Sequence, residues 1–114
     1  MIKEFTIDIN EDQLTNIKSK IEHYPWSSIE NMEEWTHGTN KKYLKELCDY
    51  WSKEFSWKKH EQLINSFKNY KTNVDGIDIH FIKEEGSGKN PKTLLLLHGW
   101  PGSVVEFLEI IKPL

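Results

Sequence analysis

The sequence has one cysteine, four prolines and no long apolar run among its 114 residues. A single cysteine cannot form an internal disulfide. Because Cys48 falls in a helical apolar pattern, we expect a small buried side chain there and not a reactive thiol. No stretch approaches the roughly 20 apolar residues that span a bilayer, and the charged start, residues 1–8, lacks the apolar core of a signal peptide. We therefore expect a soluble, cytoplasmic protein without a membrane anchor.

The sequence also lacks a strong excess of positive or negative charge. The 15 basic residues are scattered among 18 acidic ones and the formal net charge is −3, so no surface is predicted to bind nucleic acid. The five histidines are not paired at the spacing that zinc sites use; they are His23, His37, His60, His80 and His98. We expect packing or surface roles for these side chains, with no bound metal and no cofactor.

Three helices are predicted in the first part of the chain, over residues 11–23, 40–55 and 57–67. Asn10 can cap the first helix, and Thr39 or Asn40 can cap the second. Ahead of these helices, apolar and polar residues alternate over 5–9, which predicts a short strand or an extended arm with one apolar edge.

Aromatic residues are frequent around the second helix. Residues 26–38, between the first two helices, show no sustained period and predict an ordered loop with a short helical turn. Within the second helix, Tyr43, Tyr50 and Trp51 recur at helical spacing. We interpret them as core residues, with the lining of a substrate pocket as the alternative.

The pattern then changes to a period of two on either side of Asp75-Gly76. This dipeptide is typical of two-residue hairpin turns, because both of its positions need a positive φ, so an antiparallel hairpin is predicted. Turn formation accounts for Asp75 and solvent exposure for Asp78, and we do not interpret either as catalytic.

A flexible connection is predicted over residues 85–91, followed by an unbroken apolar run, 93–97. Such a run favours a strand that is buried on both faces, as in parallel sheets. Further on, Ser103 and Glu106 stand at the spacing of a capping box and predict a helix that continues to Pro113.

The predicted strand and helix are joined by the turn His98-Gly99-Trp100-Pro101. Gly99 has no Cβ to keep a ligand from the backbone, and Pro101 restricts the conformation of Trp100. Such constraints can direct one backbone N–H into a cleft, where it stabilises the oxyanion of an ester-hydrolysis site. A strand-to-helix connection without catalytic duty has the same spacing, and the spacing alone leaves both interpretations open.

The segment 98–103, followed by Glu106 and Phe107, closely resembles the oxyanion turn of the α/β-hydrolase epoxide hydrolases. Upstream segments resemble the N-terminal domain of the microsomal and juvenile-hormone type of that family; they are 43–47, 50–51, 57–58, 63–67 and 75–81. The sequence departs from the family at Lys58, where the usual residue is an arginine with a bidentate fork. It departs again at residues 23–26, His-Tyr-Pro-Trp, where the family often has Arg-Trp-Pro.

The resemblance implies an α/β fold. An N-terminal helical segment, residues 1–67, would precede the first strands and first helix of an incomplete α/β-hydrolase core, residues 68–114. Membrane-anchored relatives carry an apolar segment before this domain, and its absence here favours a soluble form. The sequence gives no indication of an oligomeric state.

The resemblance also implies the hydrolysis of a small-molecule epoxide to a diol. In the family, an aspartate on a nucleophile elbow opens the epoxide, two tyrosines polarise its oxygen, and a histidine paired with an acidic residue activates the water that hydrolyses the alkyl-enzyme ester. No nucleophile elbow occurs in the sequence, so we expect the nucleophile, the acid and the base to lie outside this chain and the chain alone to be inactive.

For this chain, the resemblance implies that the backbone N–H of Trp100 is one oxyanion donor. His98, Gly99 and Pro101 would support the turn, and the Trp100–Pro101 peptide bond would be cis.

Two other hypotheses remain open. The chain could be a non-catalytic binding module, or part of another α/β-hydrolase, an esterase or a haloalkane dehalogenase. In α/β-hydrolase topology the fourth strand lies between the second and third, so a strand at 93–97 would lack its sheet neighbours, which argues against an independent module. The resemblance of the N-terminal segments to the epoxide hydrolase family favours epoxides over the other substrates.

Overall fold

The computed structural model describes residues 1–28, 34–36 and 38–114. Contacts within the chain form two compact units, one of residues 9–57 and one of residues 1–8 together with 58–114. Most of the third helix lies in the same unit as the strands, so the units do not follow the expected boundary after residue 67. The division of the chain at that residue stays a prediction.

The unit of residues 9–57 contains α1 (Glu11–Glu22), a 3₁₀ turn (Trp26–Ser28) and α2 (Lys41–Lys53). Both helices begin at a predicted cap. The Asn10 Oδ1 accepts a hydrogen bond from the Gln13 amide at 2.8 Å, and the Asn40 Oδ1 accepts one from the Tyr43 amide at 2.9 Å. The two helices pack against each other, and their predictions are confirmed. Among the helices of the described ranges, none has the length and apolar character needed to cross a membrane.

The aromatic side chains of α2 lie at the surface, so their interpretation as core residues is wrong. Tyr43, Tyr50 and Trp51 are each about half exposed, and Cys48 is only half-buried where full burial was expected. The less exposed positions of the helix, such as Cys48 and Ser52, recur every four residues along one face. Apolar residues beside this face of α2 are therefore left in contact with solvent.

Aromatic contacts also hold the part of the predicted loop that the structure describes. The rings of Tyr24 and Trp26 lie 4.8 Å apart, and those of Trp35 and Tyr43 lie 5.2 Å apart. The predicted short helical turn is present as the 3₁₀ turn. Most of the remaining loop, including His37, lies outside the described residues.

The other unit contains nearly all of α3 (Trp57–Asn65), the strands β1 (Lys3–Glu4), β2 (Asn69–Val74) and β3 (Ile77–Ile82), and α4 (Leu108–Ile111). The strands form one antiparallel sheet in the order β1-β2-β3. Asp75 and Gly76 have φ values of 51° and 86°, and they join Val74 to its partner Ile77. The predicted hairpin and its turn are confirmed, as is the third helix.

The buried apolar side chains of this unit come from α3, from the residue pair that follows it and from α4. Ile64, Phe67 and Leu108 are 3%, 6% and 8% exposed. Asn69 is buried beside them, and its Nδ2 donates to the carbonyls of Ile64 and Phe67, both at 2.8 Å. Its Oδ1 lies 2.9 Å from the Nε2 of His80, which must carry the hydrogen because an amide oxygen only accepts. One buried amide thus connects a helix end to two strands.

The predicted N-terminal arm follows the same junction. The Ile7 amide donates to the Asn65 Oδ1 at 2.9 Å, and the Asn65 Nδ2 donates to the Ile7 carbonyl at 2.7 Å. The Phe5 amide donates to the Asn69 carbonyl at 2.9 Å. Phe5 and Ile7 are half-buried between exposed neighbours, so the predicted apolar edge of the arm is confirmed.

The run 93–97 is not a strand in this structure, and the prediction of a buried one is wrong. Leu94, Leu95 and Leu97 are 63%, 75% and 78% exposed. A strand of a parallel sheet needs backbone partners beside it, and no residue in the described part of the chain pairs with this run.

The predicted capping box after the run is also wrong. The Ser103 Oγ accepts a hydrogen bond from the Val105 amide at 3.3 Å, whereas the Glu106 amide donates to the Ser103 carbonyl at 3.1 Å. A 3₁₀ turn (Val104–Phe107) therefore comes first, and α4 adds a single helical turn after it.

Candidate active-site turn

Residues 98–102, which lie within the segment that resembles an oxyanion turn, are held together by their own backbone; we call them the HGWPG turn. The Trp100–Pro101 peptide bond is cis, as predicted. The Gly102 amide donates to the Gly99 carbonyl at 2.7 Å and closes the turn. The His98 Nδ1 lies 3.0 Å from the same carbonyl and carries a hydrogen, since the carbonyl can only accept.

These two hydrogen bonds also set the direction of the Trp100 N–H. The Gly99 carbonyl and the Trp100 N–H belong to one planar trans peptide group, so they point in opposite directions. Two donors that hold the carbonyl on one side therefore aim the N–H to the other side. This coupling could not be predicted from the sequence, because it depends on which atoms meet at the Gly99 carbonyl.

The Trp100 amide is available to a ligand. Among all hydrogen bonds of residues 1–28, 34–36 and 38–114, none is donated by this N–H. The Trp100 residue is 96% exposed. An oxyanion donor needs such a free N–H, so the structure is compatible with the expected role of Trp100. That role stays a prediction, as do the supporting roles of His98, Gly99 and Pro101.

The two glycines of the HGWPG turn differ in what a side chain would meet. A Cβ at Gly99 would have no neighbour within 4 Å. A Cβ at Gly102 would overlap the Glu106 Oε1 and would lie 2.8 Å from the Gly99 carbonyl oxygen. Packing within the turn therefore requires glycine only at Gly102, which the sequence analysis did not single out.

The carboxylates considered in the sequence analysis lie in the hairpin. Asp75 has a left-handed conformation in the turn, and Asp78 accepts a hydrogen bond from the Asn73 Nδ2 at 2.8 Å. Both side chains are exposed. Within the described part of the chain, no three His, Cys, Asp or Glu side chains are grouped so that they could hold a metal ion.

Lys58 and His80 are among the groups away from the turn whose pKa values are shifted. The Lys58 Nζ lies 2.9 Å from the Glu61 Oε1 and 3.5 Å from the Asp8 Oδ1, and the hydrogen bond to Glu61 raises the pKa of Lys58. Burial, helped by the charge of Lys71, lowers the pKa of His80. Lys58, the departure from the family pattern, thus joins α3 to the N-terminal arm with a single nitrogen.

Comparison with known proteins identifies the class of this fold. The chain matches the Aspergillus niger epoxide hydrolase structure with a TM-score of 0.85 and 29% identity, over 99% of this chain and 30% of that one. The silkworm Bombyx mori juvenile hormone epoxide hydrolase matches with a TM-score of 0.78 and 34% identity, over 96% and 27%. The expected class is confirmed: the chain has the fold of part of an α/β-hydrolase, with an incomplete core.

The family model described as epoxide hydrolase N terminus matches residues 2–107. A putative epoxide hydrolase of Stigmatella aurantiaca is 37% identical over 110 residues, which are 96% of this chain and 25% of that protein. Epoxide hydrolase 1 of Oryctolagus cuniculus is 35% identical over 114 residues, with the same coverage. The chain belongs to the epoxide hydrolase N-terminal family. It spans about a quarter of the length of the curated relatives it matches.

Proposed function

We propose that the chain is the N-terminal part of an enzyme that hydrolyses small-molecule epoxides to diols, and that its HGWPG turn supplies one oxyanion donor. The family match supports the reaction class. The observation that carries the turn's role is the Trp100 N–H, which has no hydrogen bond in the described chain although both partners of the Gly99 carbonyl are in place.

The proposed donor acts in the second half of the reaction. Opening of the epoxide by a carboxylate of the remaining protein leaves an alkyl-enzyme ester. Water then adds to the ester carbonyl carbon, and the carbonyl oxygen becomes an oxyanion. The Trp100 N–H would donate to this oxygen until the C–O bond breaks, the diol leaves and the carboxylate is restored. Removing one such donor typically costs about 3 kcal/mol of barrier.

A chimera tests this proposal. Residues 1–114 replace the matched segment of the Aspergillus niger epoxide hydrolase, and the purified protein is given styrene oxide. We expect diol formation, with a trapped alkyl-enzyme in rapid-quench samples. The 114-residue chain alone is the control and should form no diol, because it lacks the nucleophile, acid and base.

Two results of the chimera experiment would contradict the proposal. One is a chimera that unfolds cooperatively yet forms no alkyl-enzyme from the epoxide, which is the result expected of a non-catalytic binding module. The other is a folded chimera that turns over an ester or a haloalkane but not the epoxide.

A further inference from the structure

The Glu106 side chain is folded back over the HGWPG turn. Its Oε1 occupies the position that a Cβ of Gly102 would take, and its Cδ lies 2.7 Å from the same position. The glycine hydrogen that stands in place of the Cβ therefore points at the carboxylate oxygen, which is the arrangement of a Cα–H···O contact. No residue type other than glycine can make this contact.

The position of the missing Cβ of Gly102 is crowded by two oxygens. The Glu106 Oε1 overlaps it, and the Gly99 carbonyl oxygen lies 2.8 Å from it. The amide of Gly102 donates to that same carbonyl at 2.7 Å. A shift of Gly102 would therefore lengthen the bond that closes the turn.

Glu106 is itself held close to the turn. Its amide donates to the Ser103 carbonyl at 3.1 Å, so its backbone lies one short turn after Gly102. The side chain needs no long-range partner to reach the glycine. Contact with Gly102 is thus a local property of the segment 102–106.

We infer that Glu106 is a positioning residue, which holds Gly102 in place beside the Gly99 carbonyl through this contact and thereby helps to aim the Trp100 N–H. The effect of Glu106 on Gly102 can be tested on the chain itself. Its effect on hydrolysis of the alkyl-enzyme rests on the proposed function. The contact depends on the shape of the side chain and not on its charge, so glutamine should replace glutamate while alanine should not.

The structural part is tested by NMR on the 114-residue chain. In Glu106→Ala we expect the Gly102 amide to exchange with solvent about tenfold faster or more, because the bond that closes the turn opens more often. The Trp100 amide resonance should shift in the same variant. Glu106→Gln should restore both signals, and Glu109→Ala, an exposed glutamate one turn further on, should change neither. Unchanged Gly102 exchange in Glu106→Ala would overturn the inference.

The catalytic part is tested in the chimera by single-turnover kinetics. Glu106→Ala should slow hydrolysis of the alkyl-enzyme about tenfold and leave its formation unchanged, whereas Glu106→Gln should hydrolyse it at the parent rate. A parent chimera that forms no alkyl-enzyme would contradict the proposed function alone, since the NMR result decides the role of Glu106 in that case. A working parent whose Glu106→Ala variant hydrolyses the ester normally would contradict the positioning role alone.

Discussion

The β2–β3 hairpin and the run 93–97 both carry strong strand signals, yet only the hairpin forms strands. The two hairpin strands pair at six positions, from Asn69 opposite Ile82 to Val74 opposite Ile77. The run 93–97 is largely exposed, and no described residue pairs with it. An apolar run thus indicates that a segment can become a buried strand. Whether it does so also depends on neighbouring strands that pair with its backbone.

The largest difference in the free energy of unfolding is expected between substitutions of a buried and of an exposed apolar residue in the two regions. Ile64, whose carbonyl accepts a hydrogen bond from the buried Asn69, is 3% exposed. Leu95, in the run 93–97, is 75% exposed. Ile64→Ala should lower the free energy of unfolding of the 114-residue chain by about 2–5 kcal/mol. Leu95→Ala should change it by about 0.5 kcal/mol or less. Urea unfolding measures both, and equal losses would contradict the assignment of the core.

Substitution of a buried polar residue should give the next largest loss of stability. Asn69→Ala removes the amide that bonds the carbonyls of Ile64 and Phe67 and the ring of His80. Leaving these buried groups unsatisfied should cost about 2 kcal/mol. The matched control is Asn73→Ala in the same strand, where the side chain is exposed and the cost should be below about 1 kcal/mol. A larger loss for the control would show that the strand is held chiefly at its turn.

The turn of the hairpin can be compared with the connection that leads to the exposed run. Gly76 has a φ of +86°, so Gly76→Ala should cost about 1 kcal/mol. Gly88 also has open space around it but no positive φ, and Gly88→Ala should be neutral within about 0.5 kcal/mol. Thermal unfolding of the two variants distinguishes strain in the backbone from loss of flexibility. Equal effects would contradict the hairpin geometry.

The smallest expected effect is a pH dependence of the hairpin region. The pKa of His80 is lowered in the folded chain, chiefly by burial and further by Lys71, so the unfolded chain binds the proton more readily. Stability should be fully retained above the ordinary histidine pKa near 6.5 and should fall as the pH drops from there through the folded pKa. His80→Gln should flatten this part of the curve. An unchanged slope in His80→Gln would exclude His80 as its source.

Local signals in the sequence were sufficient for the elements that are stabilised by near neighbours. Asn10 and Asn40 cap helices through bonds to residues three positions away, and Asp75-Gly76 forms its turn from its own backbone preferences. The cis bond before Pro101 followed from the family resemblance and not from local preference.

Unlike the caps and the hairpin turn, the burial of apolar side chains could not be predicted from the spacing of residues. The apolar faces of α2 and of the run 93–97 have the spacing of core residues, but burial depends on what covers them. The roles of Asn69, which joins α3 to two strands, and of Gly102 beside Glu106 depend on contacts between side chains and backbone that no spacing rule describes.

The most direct test of the account removes only the Trp100 N–H. In the chimera, semisynthesis replaces that amide by an ester, and the matched control places the ester at Ser87, in the exposed connection. We predict that hydrolysis of the alkyl-enzyme slows about 10²–10³-fold for the Trp100 ester, while its formation and the Ser87 control keep the parent rates. Hydrolysis at the parent rate with the Trp100 ester would contradict the central claim that this amide stabilises the oxyanion.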